Sequence, residues 1–203
     1  KGLHDIMACH SNGANIVALA DPDWKRAEEG FYKLPNAKQF KDYREMLEKM
    51  PEIDGCTVST PDHTHAPAAY MAMKLGKHVY VQKPLTHTVA EARLLTNTAR
   101  EMGVATQMGN QGHCGNGVRD LCEMVWSGAI GDVKEAHVWT SRPDWPQGVD
   151  KALAEEAVPE TMDWDLWIGT APMRAYNSQY APFKWRGWWD FGSGALCDMA
   201  CHI

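Results

Sequence analysis

Over the first 126 residues, short apolar runs alternate with amphipathic stretches. Residues 15–20 (NIVALA), 55–60 (GCTVST), 78–81 (HVYV) and 104–108 are short, apolar or β-branched, and bounded by Pro, Gly or polar residues, which predicts strands. Residues 3–9, 23–33, 43–50, 66–75 and 89–102 carry helical spacing. Met46, Leu47 and Met50 share a face of the third stretch, and Gly76 and Gly103 stand where the last two helices end. Strands alternating with helices of this length predict an α/β unit built on a doubly wound parallel sheet. Beyond it, residues 133–140 (VKEAHVWT) alternate and predict a half-buried strand that opens something new. A Pro- and Trp-rich stretch follows up to Trp189, with a short helix near residues 164–168, and residues 194–203 return to a helical pattern. Eight of the nine tryptophans lie at or beyond Trp126. The division expected is therefore 1–126 and 127–203.

Composition narrows the function classes. The 203 residues include 20 Lys plus Arg against 26 Asp plus Glu, a formal charge of −6. A mildly acidic chain with no basic cluster speaks against nucleic acid as a partner. No apolar run approaches the ~20 residues of a membrane helix, so no membrane partner is expected. The chain opens Lys-Gly-Leu-His without an initiator Met, and this opening leaves localisation unread. Six cysteines contain no Cys-x-x-Cys pair and read as reduced thiols. Cys197 and Cys201 lie beside His202 but lack further ligands at suitable spacing, so no metal is expected.

Ligands of a doubly wound sheet bind beyond the carboxyl ends of its strands. Four such ends carry polar residues: Asp21; Ser59, Thr60, Pro61, Asp62, His63, Thr64 and His65; Gln82, Lys83 and Pro84; and Gly109 to His113, including Gln111. An acid at the position of Asp21 either receives ribose hydroxyls of a dinucleotide and repels a 2′-phosphate, or caps the helix that follows. Lys83, between a strand and a Pro, is either a solvated loop residue or a group that hydrogen-bonds a substrate hydroxyl and relays its proton. Asp198 and His202, four apart, share a helical face, where the carboxylate would orient the imidazole; a purely structural histidine is the competing reading. His63 and His65 sit in the loop that would face a nicotinamide, and His65 is the better placed. His4, His10, His78, His87 and His137 read as surface or sheet residues.

In this order and spacing, Ala20-Asp21, Thr60-Pro61-Asp62-His63-Thr64-His65, Gln82-Lys83-Pro84 and Asp198-x-x-x-His202 resemble the Gfo/Idh/MocA family of nicotinamide-dependent oxidoreductases. Gly128-x-Ile130-Gly131-Asp132-Val133 is similar to that family's passage between domains, and Trp185-Arg186-Gly187-Trp188-Trp189-Asp190-Phe191-Gly192 resembles one bacterial branch, often exported. The resemblance implies a Rossmann domain followed by an α/β substrate domain with an open antiparallel sheet, and homo-oligomers of the intact protein. It matches Lys83, Asp198 and His202 to the catalytic set. It places Asp21, Ser59, Thr60, Pro61, His65, Gln82, Lys83, Gln111, Trp185 and Arg186 on the cofactor. That cofactor would be NAD, NADP being disfavoured by Asp21, although Lys25 and Arg26 lie close by. Gln82 departs from the family's usual Glu; an amide can still hydrogen-bond the cofactor or Lys83, but it brings no negative charge. The aromatic residues either stack on a sugar or pack the interior.

The reaction implied is hydride transfer between nicotinamide and a secondary hydroxyl of a sugar or polyol. His202 would act as base, held by Asp198, and Lys83 would bind the reacting oxygen. A redox-neutral glycosidase acting through a transient keto-sugar would use the same residues, and a non-catalytic remnant of the family is the third reading. No G-x-G-x-x-G loop precedes Asp21. By the resemblance it would lie before Lys1, with most of the substrate sheet after Ile203, so the chain reads as an internal fragment that binds dinucleotide poorly by itself.

Overall fold

The computed structural model describes residues 1–142, 144–149 and 153–202. The elements run α1 (Gly2–Ser11), β1 (Ala18–Ala20), α2 (Trp24–Lys33), β2 (Lys38–Phe40), α3 (Tyr43–Lys49), β3 (Gly55–Val58), α4 (His65–Lys74), β4 (His78–Gln82), α5 (Val89–Met102) and β5 (Thr106–Gly109). Among the described residues, these are followed by α6 (Asn116–Trp126), α7 (Trp164–Ile168) and α8 (Gly194–Ala200) and by no further strand. These five strands pair in parallel: β1 with β2, and β3, β4 and β5 in that order, with Val58 opposite Val81 and Gln82 opposite Gly109. The Rossmann-like α/β architecture expected from the alternating pattern is what the chain adopts.

Local chemistry sets the helix ends. Asp23 and Asp42 cap α2 and α3 by accepting the amides of Lys25 and Arg44. Thr88 and Glu91 form a reciprocal capping box on α5, which stops at Gly103 in the left-handed conformation. The alanines of α4 have a packing role. Ala66, Ala68, Ala69 and Ala72 are all buried, so this helix lies close over β3 and β4 and meets Leu47, Val58, Val79, Val81 and Leu95 in one core.

Two elements fall outside the sequence expectations. The polar segment β2 is a strand because it pairs with β1 rather than because of its own residues. Helix α6 also goes unannounced by the pattern. Residues 133–140, expected as a strand, are irregular and exposed. Alternation supplies strand propensity, but a strand needs a hydrogen-bonded neighbour, and among the described residues this one has none. The predicted start of an antiparallel sheet is thus not seen there.

Residues 153–202 are organised instead by an aromatic core. Trp164, Trp167, Tyr176, Tyr180, Trp185, Trp188 and Phe191 pack together, with Trp164 and Trp167 stacked at 4.8 Å. Phe191, fully buried, touches the edges of Trp167 and Tyr180 at 5.1 and 5.4 Å. This core docks on the sheet unit through backbone bonds from Trp24 N to Thr161 O (3.1 Å) and from Asp163 N to Pro22 O (2.8 Å). His63 adds a third link: its ring is packed between Trp167 and Phe191, and its amide donates to Phe191 O (3.2 Å).

Replacing Phe191 by Ala should cost about 3–5 kcal/mol, because the ring is central to the core and leaves a cavity that rigid indoles cannot fill. Urea unfolding followed by Trp fluorescence measures this, and a loss below about 1 kcal/mol would contradict the importance given to the aromatic core.

Candidate functional site

The carboxyl ends of β3, β4 and β5 place the polar loops of the parallel sheet along one edge, as the topology requires. Lys83 directly follows β4. Its Nζ donates to the Asp198 carboxylate Oδ1 (2.8 Å) and to the Asp198 carbonyl oxygen (2.7 Å). Both side chains are shielded, with Lys83 13% and Asp198 6% exposed. At that burial an ion pair is weakly screened by solvent, and removing either partner leaves an uncompensated charge. Two residues singled out from sequence, 115 positions apart, are therefore in direct contact.

Arg186 approaches the same carboxylate, its Nε 3.4 Å from Asp198 Oδ1. The guanidinium lies over the Trp185 and Phe183 rings, with centroids at 4.2 and 4.6 Å, and its Nη1 donates to Phe183 O (3.0 Å). Burial lowers the Arg186 pKa, and the Asp198 and Asp62 carboxylates oppose that shift. Asp198 thus stands between two cations. Gly192 permits the approach: a Cβ there would fall 2.6 Å from the Arg186 Cα. Trp185, placed on the cofactor by the resemblance, is buried in the aromatic core, in keeping with the packing alternative for the aromatic residues.

The expected Asp198–His202 pair does not form. Helix α8 ends at Ala200, and His202 lies beyond it, exposed, its backbone amide bonded to Met199 O (2.9 Å). Without a further helical turn, i and i+4 no longer share a face. Asp198 turns to Lys83 and Arg186 instead. Desolvation, then the charge of Lys83, lower the His202 pKa, and Asp198 acts in the opposite direction. Asp198 thus still favours the imidazolium, as expected, but burial and Lys83 outweigh it.

The loop after β3 also behaves differently from its sequence reading. His65 is 1% exposed, with Nδ1 2.7 Å from Pro84 O and Nε2 2.9 Å from Thr60 O. Burial lowers its pKa while Asp62 opposes the change. Rather than facing a nicotinamide, His65 ties the Thr60-Pro61 backbone to the loop carrying Lys83. His63 is buried too, pushed down to about 4 by desolvation and ringed by the carbonyls of Phe191, Trp167 and Ile168. Asp62, to which sequence reasoning gave no role, is 2% exposed and accepts from the Ser193 amide (3.1 Å), holding the start of α8 against this loop. Burial raises its pKa.

Asp21 directly follows β1 and accepts from the Asp23 amide (2.9 Å), so the helix cap is Asp23 and Asp21 sits two residues upstream. Desolvation raises the Asp21 pKa to about 6, with Arg26 drawing it down. A carboxylate shifted upward in this way is short of donors. Ser59 and Gln82, expected on a cofactor, both donate to the buried Asp5 of α1 (2.8 and 2.9 Å). Asp5 was missed because a single acid within an amphipathic helix gives no spacing signal. Among the described residues no His, Cys, Asp and Glu cluster could hold a metal ion, and no helix is long and apolar enough to cross a membrane. All six cysteines are free thiols.

Comparison with known proteins gives this edge a family. Residues 3–110 match the oxidoreductase-family NAD-binding Rossmann fold, and residues 115–203 match the oxidoreductase-family C-terminal alpha/beta domain. The chain is 33% identical over 119 residues to scyllo-inositol 2-dehydrogenase (NAD(+)) of Bacillus subtilis, covering 59% of this chain and 34% of that protein. It is 34% identical over 174 residues to the uncharacterized oxidoreductase YdgJ of Escherichia coli, covering 85% of this chain and 47% of the relative. A solved 3-ketoreductase from Actinomadura kijaniata, in complex with TDP-benzene and NADP, superposes with a TM-score of 0.53 at 28% identity, covering 58% of this chain and 37% of that one. The chain spans about a third to a half of the length of these relatives. With both matched parts in sequence and a parallel-sheet edge carrying Lys83 against Asp198, the chain belongs to the Gfo/Idh/MocA family of NAD(P)-dependent oxidoreductases.

Proposed function

We propose that the protein containing this chain uses NAD to interconvert a secondary hydroxyl and a ketone on a sugar or polyol. The observation that carries the reading is the ion pair of Lys83 with Asp198, which joins the carboxyl end of β4 to α8. An ammonium has three donors, and Asp198 takes two of them. The third is free for the oxygen of a substrate, where it stabilises developing alkoxide character. His202, kept toward its neutral form by partial burial and neighbouring cations, accepts the hydroxyl proton. Asp198, between Lys83 and Arg186, holds both cations in place as charge shifts at the reacting oxygen.

The donor set of the sheet edge fits a dinucleotide. Asp21 at the end of β1 is a carboxylate in need of donors, which ribose hydroxyls supply and a 2′-phosphate does not, favouring NAD over NADP. Thr60 and Pro61 line the same edge beside Lys83, held there by His65. NAD, when bound, takes up or delivers the hydride; the chain's own residues orient the substrate and move its proton. The carbohydrate class is supported by the relatives, one of them an inositol dehydrogenase.

The decisive experiment purifies the full-length gene product without added nucleotide, identifies any released cofactor by mass, and screens polyols and sugars with NAD. NAD-dependent oxidation of one of them is the expected result. Stoichiometric NAD surviving purification, without net turnover, would redirect the reading to redox-neutral cleavage of a glycoside. Failure to bind NAD at all would overturn the proposal. In an active protein, Lys83→Met should lower kcat by about 10²-fold or more while NAD affinity changes by less than about threefold. An unchanged kcat would remove Lys83 from the chemistry.

Asp21 yields a pH prediction of definite sign. Its folded pKa of about 6 lies above the ordinary 3.8, so burial favours the neutral acid. Stability of the ligand-free protein therefore falls as pH rises from about 4 through about 6, while NAD affinity rises as the ionised acceptor forms. Asp21→Asn should flatten both profiles and raise stability at neutral pH by about 2 kcal/mol. Unfolding and NAD titrations between about pH 5 and about pH 8 measure this, and identical slopes in the variant would contradict the assignment.

A further inference from the structure

Ser59, Gln82 and Gln111 converge on a network around a carboxylate that the proposed chemistry does not use. Asp5 is 5% exposed, in the first turn of α1. Its Oδ2 accepts from Ser59 Oγ (2.8 Å) and Gln82 Nε2 (2.9 Å), and its Oδ1 meets Lys1 Nζ at 2.7 Å. The exposed His4 ring also faces that oxygen, its Nδ1 3.6 Å away. With the Gln111 amide turned so that its nitrogen donates to Gly109 O (2.9 Å), its oxygen accepts from Gln82 Nε2 (2.9 Å) and Tyr80 Oη (2.8 Å). Gln82 thus uses both N–H groups, one on Asp5 and one on Gln111. Gly109 leaves room for that amide, since a Cβ there would lie 2.6 Å from Gln82 Nε2.

A primary amide offers two donors on its nitrogen, and a carboxylate offers none. A carboxylate in place of the Gln82 amide would stand within hydrogen-bond distance of Asp5, and the two buried acids would have to share a proton. We propose that Asp5 is a positioning residue of the cofactor edge: its charge ties α1 to the ends of β3 and β4, and its presence dictates that position 82 be an amide. The acid stands on the helix and the amide on the strand. Consequently Lys83, next to Gln82 in sequence, takes its counter-ion from α8. The part of this inference that concerns the cofactor rests on reading the edge as the NAD site.

The test compares Gln82→Glu with the double variant Asp5→Asn/Gln82→Glu in the full-length protein. Thermal unfolding is followed from about pH 5 to about pH 9, and NAD affinity is measured at each pH. Gln82→Glu should lower the neutral-pH unfolding midpoint by on the order of 5 °C and regain it toward acid, as the shared proton binds. NAD affinity should fall about tenfold in the single variant with the same acid recovery. Adding Asp5→Asn should restore midpoint and affinity and abolish the acid recovery, because the amide introduced on α1 can donate to the carboxylate introduced on β4. A single variant with the native midpoint and pH profile, or a double variant no better than the single, would overturn the proposal. Should Gln82→Glu fail to fold at neutral pH, folding of the double variant supports the proposal and its failure to fold refutes it. If the native protein does not bind NAD, the proposed function fails, whereas the unfolding comparison still decides the role of Asp5.

Discussion

Lys83 cannot be placed where it is without Asp198. An ammonium that is 13% exposed at the end of a strand needs an anion, and the one it meets comes from a helix near the far end of the sequence. That single pairing requires the 191–200 stretch to lie against the β3 and β4 loops, and much of the remaining structure serves this placement. Asp62 takes the Ser193 amide, the His63 amide donates to Phe191 O, and Gly192 lets the backbone of Arg186 come close. The two hydrogen bonds satisfy polar groups that would be costly to bury alone.

The aromatic core explains how a stretch with so little regular secondary structure holds such a geometry. Between residues 153 and 202 the described chain has two short α-helices and one turn of 3-10 helix, too short to be stable by themselves. Seven large aromatic residues bury their faces together, which replaces backbone regularity with side-chain packing. The stack of Arg186 on Trp185 then carries that rigidity to the Asp198 carboxylate. A guanidinium on an aromatic face is oriented and partly desolvated, so its effect on a nearby anion exceeds that of a freely moving surface cation.

Buried histidines in this protein are structural. His63 and His65 drew attention because they lie in a loop beyond a strand, the place where ligands bind. In the fold their rings are surrounded by backbone carbonyls, which makes them substitutes for the missing hydrogen bonds of an irregular loop. His202, least constrained of the three, is exposed beyond the end of α8. Exposure, rather than position in a motif, sets it apart from the two buried rings.

The α/β order, the helices up to residue 102 and the candidate Lys83, Asp198 and Asp21 were legible in the sequence, because periodicity, caps and strand-end residues are local properties. So was the family, since its short motifs keep their order along the chain. Partnership was not legible. The sequence paired Asp198 with His202 by helical spacing, but the helix ended at Ala200 and the carboxylate turned to a lysine 115 residues away. It sent Ser59 and Gln82 to a ligand, when a buried acid on α1 received both. It read residues 133–140 as a strand from alternation alone, which lacks a neighbour to pair with among the described residues. Hydrogen bonds and ion pairs between distant segments depend on how elements pack in three dimensions, so the sequence by itself determined the family and the candidates for the chemistry, and the tertiary structure decided which of them face one another.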